Sequence, residues 1–275
     1  MKLLIDADLI AYEASAAAEM VDEGYEIRNF DWVIGYTDDL VEGIKEAVGG
    51  VTSTELFITG DNNFRFDIAT VKPYKGNRKD KEKPFYLPSV RKLLEVKYNA
   101  LKVHGMEADD ILAIEAVKYN SDEVCIASRD KDLRQVPCWQ YSWEVGRQPE
   151  WGPELVDSIG ELEATYSNKV LASGEPSKAI KKLSGTGLRW FYAQCIVGDS
   201  ADNIPGLEGK GAGLAYELLR DAQTEKEMFY AVLGAYEFKY EHNARERLLE
   251  QGRLLWMCRE LNPDGSAKMW ELPYD

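Results

Sequence analysis

The sequence contains few of the side chains that bind soft metals. It has four cysteines and two histidines in 275 residues. The cysteines lie far apart and form no C-x-x-C pair, so their spacing does not match a zinc site. We expect reduced thiols, and no zinc, for the four residues Cys125, Cys138, Cys195 and Cys258.

A long apolar run is also missing. No segment approaches the roughly 18–20 apolar residues of a membrane span. The first ten residues contain Asp6 and Asp8, where a secretory signal needs an uninterrupted apolar region. Hydrophobic residues make up 45% of the chain, which is typical of a globular protein with a substantial core. We therefore expect a cytoplasmic protein without a membrane partner.

Positive charge is scarce, because 33 lysines and arginines face 48 acidic residues and leave a net charge of −15. On average, such a protein repels a polyanion such as nucleic acid. The basic residues are nevertheless concentrated in two stretches, residues 71–83 and 176–198. Taken alone, each stretch is explained without nucleic acid, as a solvated lysine-rich loop or a basic helix end.

The first 143 residues alternate between short apolar runs and segments of helical periodicity. This alternation predicts βαβ units and a mainly parallel sheet. Beyond residue 143 we predict a largely helical region with a turn at 263–265 and a short terminal strand. The predicted strands are 2–5, 55–59, 101–104, 123–127 and 138–143, and the predicted helices are 9–20, 31–48, 87–98, 107–119, 130–136, 188–197, 212–220 and 241–259.

Acidic residues follow each of the first four predicted strands. Because the carboxyl ends of parallel strands meet at one edge of a sheet, we expect these carboxylates to lie close together. Such crowding raises their pKa values unless cations neutralise them, and oxygen ligands favour Mg²⁺ or Mn²⁺. Each residue taken singly is equally well explained as a helix cap or first-turn acid. The set is Asp6, Asp61, Glu107, Asp109, Asp110, Asp130 and Asp132.

A magnesium site beside lysines and arginines is typical of phosphoryl chemistry. The sequence contains no G-x-x-x-x-G-K-[ST] motif, so hydrolysis of a nucleotide in a P-loop has no support. We therefore expect the reacting phosphate to belong to a polymer.

Five motifs occur along the chain in this order: LIDAD at 4–8, YKGNR at 74–78, GMEADD at 105–110, SRDKD at 128–132 and GDSADNIPGLEGKG at 198–211. Together they resemble the 5′-to-3′ exonuclease and flap endonuclease family, most closely its bacteriophage branch. The resemblance implies an α/β fold: a three-layer α/β/α domain similar to PIN nucleases over 1–184. It also implies a helical region over 185–275 with a helix-three-turn-helix module that binds DNA.

The resemblance further implies two Mg²⁺ ions, for which Mn²⁺ substitutes. Asp6, Asp61, Glu107, Asp109 and Asp130 would build the first metal site, while Asp132, Asp199 and Asp202 would lie toward the second. Lys75 and Arg78 would act on the scissile phosphate, and Asp8 would be an outer-shell group. A K⁺ ion is a further candidate at the glycine hairpin, residues 206–213. The implied DNA contacts are Tyr74, Lys79, Gly206, Gly209, Lys210, Gly211 and Gly213.

The implied activity is hydrolysis of DNA from a 5′ end or at a 5′ flap, with 5′-phosphate products. Removal of RNA from RNA·DNA hybrids is compatible with the same site. We expect a monomer, located in the host-cell cytoplasm if a bacteriophage encodes it.

Two alternatives remain open at the level of sequence. A haloacid-dehalogenase-type phosphatase would use Asp6 as nucleophile and would explain Asp8, but it leaves residues 198–211 without a role. A DNA-junction binding module without catalysis would have lost acidic positions, whereas here all of them are filled. The aromatic run 190–192 resembles a base-stacking platform, but we expect it to belong to the core.

Overall fold

The structure is a computed structural model and describes residues 1–20, 27–78, 82–169, 173, 175, 177 and 179–274. A central six-stranded sheet consists of β1 (Lys2–Asp6), β2 (Ser53–Thr59), β3 (Leu101–Val103), β4 (Val124–Ala127), β5 (Trp139–Ser142) and β6 (Trp151–Leu155). Its strand order is β3-β2-β1-β4-β5-β6, and β1 to β5 are parallel, which confirms the predicted sheet. The antiparallel edge strand β6 was not predicted.

Helices cover both faces of this sheet, so the predicted three layers are confirmed. Leu3 and Ile5 of β1 pack among the helices of one face, and Leu4 between them packs against the other face. This alternation follows from the two-residue period of a strand. The first face carries α1 (Ala7–Glu19), α2 (Phe30–Val48) and α4 (Leu87–Lys97), and the second carries α5 (Ala108–Ala116) and a 3₁₀ helix (Lys131–Gln135).

The rest of the chain forms a helical region and a small hairpin. A second core contains Trp190, Phe191 and Tyr192, which confirms the prediction that this aromatic run is buried. The hairpin contributes partly buried Leu162 and Leu183 to the same core. These elements are α3 (Arg65–Ile68), a 3₁₀ helix (Gly76–Arg78), β7 (Leu162–Tyr166), β8 (Ile180–Gly185), α6 (Gly187–Val197), α7 (Ala212–Leu219), α8 (Glu225–Tyr240), a 3₁₀ helix (Glu241–Asn243) and α9 (Ala244–Leu255).

Three predictions for this region were wrong or incomplete. The β7–β8 hairpin was missed because its strands alternate only between half-buried and exposed side chains, which is a weak periodic signal. Helix α8 was missed because exposed Tyr230 and Phe238 obscure the apolar stripe that it buries. The terminal strand is reduced to an isolated bridge between Leu261 and Ala267. The division at residue 184 stays a prediction.

The four cysteines are free and buried, in agreement with the expected reduced thiols. Among the helices of the described ranges, none has the length and apolar character needed to cross a membrane.

Candidate active site

Asp6 lies at the junction of β1 and α1, at the carboxyl edge of the sheet. One of its oxygens caps the helix by accepting hydrogen bonds from the N–H groups of Asp8 (3.1 Å) and Leu9 (3.3 Å). The other accepts from the hydroxyl of Ser128 at 2.9 Å, just beyond the end of β4. The ends of two neighbouring strands are therefore tied together through this buried carboxylate.

Asp6, Asp109 and Asp130 form an acidic cluster whose charges repel one another. Burial, reinforced by the charges of Asp8 and Asp130, raises the pKa of Asp6 to about 7. Burial and the charges of Asp6 and Asp130 likewise raise the pKa of Asp109 well above its ordinary value. The pKa of Asp130 is raised by burial and by the charge of Asp202. The structure thus brings together carboxylates that follow β1, β3 and β4.

A second acidic group surrounds Lys131. Its ammonium lies 2.5 Å from Asp199 Oδ2 and 3.0 Å from Asp132 Oδ1, and Gln194 donates to the same Asp132 oxygen at 2.5 Å. Burial and the charge of Asp130 nevertheless raise the pKa of Asp132 to about 7. Lys131 therefore acts as a counter-ion, a role that our sequence reasoning missed although the residue lies inside the SRDKD segment.

Lys75 and Arg78 lie beside these acidic groups. Lys75 immediately precedes the short 3₁₀ helix Gly76–Arg78, and Arg78 is the last residue of that helix. Lys75 Nζ is ion-paired with Glu107 and lies 3.7 Å from Asp202 Oδ2. The Arg78 guanidinium is paired with Asp202, and its Nε donates to the carbonyl of Ala201 at 3.0 Å. Both predicted catalytic cations are therefore held against predicted metal ligands.

Tyr74 does not have the exposed ring that a base-stacking role requires. The residue is buried, and its ring packs edge-on against Phe66 with centroids 5.4 Å apart. Its hydroxyl lies 2.7 Å from Glu107 Oε2 and 2.8 Å from Asp202 Oδ2. In this structure the side chain orients two carboxylates, and the expected DNA contact stays a prediction that the burial of the ring does not favour.

Asp110 lies outside the acidic cluster. Its carboxylate accepts two hydrogen bonds from the fully buried Arg65, at 2.5 and 2.9 Å, and one from the N–H of Cys258 at 3.1 Å. Burial alone would raise the pKa of Asp110, but the charge and hydrogen bonds of Arg65 lower it below its ordinary value. The structure therefore separates Asp110 from the predicted ligand set, because both of its oxygens are committed to this pair.

Asp61 is likewise not brought into the cluster. Its side chain is 85% exposed, and its Oδ2 lies 3.8 Å from His104 Nδ1. Asp8, the expected outer-shell group, is paired with Arg91 of α4 and accepts from the N–H of Thr59 at 2.8 Å. Lys79, a predicted DNA contact, lies outside the described residues.

The glycines after α6 serve two different purposes. Gly198 and Gly206 have φ of 70° and 63°, and a Cβ on Gly206 would lie 2.4 Å from the nitrogen of Gly198. The N–H of Gly206 donates to Gln251, so this amide already has a partner in the structure, and the expected DNA contact of Gly206 stays a prediction. In contrast, a Cβ on Gly209, Gly211 or Gly213 would meet no described atom within 4 Å, and Lys210 beside them is exposed.

Hard divalent cations fit the chemistry of the acidic cluster. Its donors are oxygens only, and burial together with neighbouring negative charges raises the pKa values of all three carboxyl groups, an effect that a bound cation would oppose. Among the described residues, no three acidic, histidine or cysteine side chains are already arranged around one metal position. The carboxylates paired with Lys75, Lys131 and Arg78 would have to exchange these partners for a metal ion.

Comparison with known proteins identifies the family. Residues 1–145 match the family model of the 5′-3′ exonuclease N-terminal, resolvase-like domain, which is more than half of the chain. The chain belongs to this 5′-3′ exonuclease family. This membership decides against the haloacid-dehalogenase-type phosphatase and confirms the resemblance on which our sequence reasoning relied.

Two relatives illustrate how much of the family this chain spans. It is 28% identical over 179 residues to a 5′-3′ exonuclease of Buchnera aphidicola, covering 63% of this chain and 54% of that protein. It is 25% identical over 269 residues to DNA polymerase I of Geobacillus stearothermophilus, covering 94% of this chain and 28% of the polymerase. The chain thus matches about half of the first relative and about a quarter of the second.

Solved structures with this fold include two from bacteriophage T5. One is a flap endonuclease in a pseudo-enzyme-product complex with DNA and metal ions, with a TM-score of 0.51, 13% identity and coverage of 92% of this chain and 98% of that one. The other is a 5′-exonuclease mutant, with a TM-score of 0.50, 14% identity and coverage of 93% and 84%. The predicted fold class is therefore confirmed.

Proposed function

We propose that the chain is a divalent-metal-dependent nuclease that hydrolyses DNA from 5′ ends or at 5′ flaps and leaves 5′-phosphate products. The observation that carries this proposal is the crowding of Asp6, Asp109 and Asp130 at the sheet edge, where burial and neighbouring negative charges raise their pKa values. Crowded carboxylates without counter-ions destabilise a fold. Their presence at one site therefore indicates that they bind a cation or take part in catalysis. Family membership supplies the reaction class.

Seven carboxylates are proposed to hold the metal ions. Mg²⁺ ions bound here would lower the pKa of the attacking water and stabilise the leaving oxygen. Mn²⁺ has the same preference for oxygen ligands and is the proposed substitute. The first site would comprise Asp6, Glu107, Asp109 and Asp130, and the second would comprise Asp132, Asp199 and Asp202.

Lys75 is proposed to stabilise the charge that develops on the scissile phosphate. Its side chain is already directed at Glu107 and Asp202, and about a quarter of it remains exposed. Its backbone N–H donates to the carbonyl of Asp202 at 2.8 Å, which fixes the segment against the second acidic group. Arg78 has a weaker catalytic role, because it is more exposed and also contacts the Ala201 carbonyl.

The proposed partner is duplex DNA with a 5′ end or a 5′ flap, and RNA·DNA hybrids are a second substrate. The fold neighbour from bacteriophage T5 was solved with DNA and metal ions, which supports this choice. The open backbone at Gly209, Gly211 and Gly213 would admit a DNA phosphate, with K⁺ as the accompanying ion. We propose a monomer that acts in the cytoplasm.

A duplex labelled at either the 5′ or the 3′ end tests this proposal in one experiment. With Mg²⁺, we expect short labelled products from the 5′ label and a descending ladder from the 3′ label. Excess EDTA should abolish both, and Asp130→Asn should do the same while remaining folded. Equal digestion in EDTA, or digestion only from 3′ ends, would refute the proposal, and binding of DNA without any cleavage would favour the non-catalytic junction module.

A further inference from the structure

Glu250 of α9 holds the segment that leads from α3 to Lys75. Its Oε1 accepts hydrogen bonds from the backbone N–H groups of Thr70 and Val71, each at 2.9 Å, and its Oε2 accepts from the hydroxyl of Thr70 at 2.5 Å. Thr70 and Glu250 are 180 residues apart in the sequence. One side chain of the helical region therefore fixes two consecutive residues of this segment.

Hydrophobic packing contributes little to the position of this stretch. Residues 70–73 are all exposed, and α3 has already ended at Ile68. A backbone that lies on the surface is held mainly by its hydrogen bonds, because little apolar area is buried there. The position of Thr70 and Val71 therefore depends on the carboxylate of Glu250.

The other end of the segment is held by the loop that follows Asp199. The side-chain amide of Asn203 donates to the carbonyl of Pro73 at 2.8 Å, and that of Asn77 donates to the carbonyl of Ser200 at 2.8 Å. Asp199 belongs to the acidic group around Lys131. The segment thus connects α9 with the loop that carries proposed metal ligands.

The chain between the anchored residues and Lys75 is stiff. Only Lys72 and Pro73 lie between Val71 and Tyr74. The ring of Pro73 fixes its own φ, and a residue that precedes proline is largely confined to extended conformations. A displacement at Val71 is therefore transmitted to Lys75 instead of being absorbed on the way.

Lys75 adopts a backbone conformation that needs support from its surroundings. Its φ is 51°, in the left-handed region that is unfavourable for a residue with a side chain. Such conformations persist where the surrounding structure determines them, and they are concentrated at functional sites. From this conformation the ammonium pairs with Glu107 and lies 3.7 Å from Asp202 Oδ2. Release of the segment at its start would let Lys75 relax and would move its ammonium away from both carboxylates.

We infer that Glu250 is a positioning residue for the cleavage reaction. By fixing the start of the segment, it keeps the ammonium of Lys75 in the place where the scissile phosphate is proposed to react. Glu250 has no contact with the phosphate in this role and acts only through Lys75. The role rests on the proposed nuclease function, because it requires the catalytic role proposed for Lys75.

Hydrogen exchange followed by mass spectrometry tests the anchor without any cleavage, in EDTA and without DNA. Glu250→Ala should raise exchange at Thr70 and Val71 about tenfold or more, because a hydrogen bond to a charged group contributes about that factor. Glu250→Gln should exchange nearly as slowly as the wild type, since its carbonyl oxygen still accepts from both N–H groups. Glu246→Ala is the matched control, because it removes the same charge from an exposed position one turn earlier on α9, and it should leave exchange in the segment unchanged.

Single-turnover cleavage with saturating enzyme tests the positioning role. Glu250→Ala should lower the rate about 10–100-fold with little change in duplex affinity, because a misplaced reacting group slows the chemical step. Glu250→Gln should restore most of the rate. In a Lys75→Ala background, Glu250→Ala should have no further effect, because the group that it positions is absent.

The outcomes separate this role from the proposed function. Raised exchange in Glu250→Ala with normal cleavage would overturn the positioning role alone, and so would an equal loss of rate in both backgrounds. Exchange at the wild-type level in Glu250→Ala would show that the carboxylate does not hold the segment. A wild-type protein that cleaves nothing would refute the proposed function and this role with it, while raised exchange would still identify Glu250 as the anchor.

Discussion

Replacing Asp110 by Asn distinguishes a structural carboxylate from a metal ligand. In the wild-type protein the Arg65 guanidinium is completely buried, and Asp110 carries the charge that compensates it. Asn preserves the shape of the side chain but removes that charge. The remaining partners of Arg65 are the carbonyls of Leu254 and Trp256, at 3.0 and 2.7 Å, and Glu107 at 3.7 Å.

The expected loss of stability is large because a buried charge is left without its partner. Breaking such a pair typically costs about 3–5 kcal/mol. For a protein of this size, each kcal/mol lowers Tm by about 2–4 °C, so we expect Asp110→Asn to melt about 10 °C below the wild type. Partial compensation by Glu107 places the loss toward the lower end of this range.

The pH dependence of this difference follows from the lowered pKa of Asp110. A carboxyl group whose pKa is lower in the folded state stabilises the fold above its unfolded pKa and loses this contribution as pH falls through the folded pKa. The difference in unfolding free energy between wild type and Asp110→Asn should therefore be constant at neutral pH. It should shrink only in acid, below about pH 4.

The assay is urea unfolding followed by circular dichroism, with single-turnover cleavage measured on the folded protein. Asp130→Asn is the control, because Asn still caps the 3₁₀ helix while its neutral side chain relieves repulsion in the cluster. That variant should retain its stability and lose cleavage. If Asp110→Asn behaves in the same way, with unchanged Tm and abolished cleavage, Asp110 is a metal-site residue and our interpretation of the ion pair is wrong.

Three further predictions concern the lysines and glycines of the site. Lys75→Ala should lower the single-turnover rate about 10²–10³-fold with little change in duplex affinity, whereas Lys79→Ala should weaken only binding; a nearly normal rate with saturating Lys75→Ala enzyme would contradict the catalytic role. Lys131→Met should lower Tm in EDTA by leaving Asp132 and Asp199 uncompensated, and Mg²⁺ should raise its Tm more than that of the wild type; equal shifts in a thermal scan would argue against a shared cation position. Gly206→Ala should destabilise the fold, because Gly206 has a positive φ and an added Cβ would lie 2.4 Å from the nitrogen of Gly198. Gly213→Ala should keep its Tm and weaken duplex binding in an anisotropy titration, because an added Cβ meets no described atom within 4 Å. The reverse pattern would refute the distinction between the tightly packed Gly206 and the open Gly213.

The sequence by itself determined the alternation of strands and helices up to residue 143. Apolar periodicity is a local property, and each predicted strand of the parallel sheet is found in the structure within a few residues. The sequence also indicated that Asp6, Asp109 and Asp130 would meet, because parallel strands place their carboxyl ends at one edge. The ordered motifs were sufficient to indicate the family, which the family model confirms.

Only the tertiary structure decided what each acidic side chain faces. Asp109 and Asp110 are adjacent in sequence, but neighbouring residues of a helix point about 100° apart, so one joins the cluster and the other meets Arg65. Arg65 is separated from its partners Leu254 and Trp256 by most of the chain, and no local pattern indicates that contact. The burial of Tyr74 and the position of Lys131 between Asp132 and Asp199 have the same origin. Side-chain direction and long-range packing arise only when the elements assemble, because each depends on residues that are distant in the sequence.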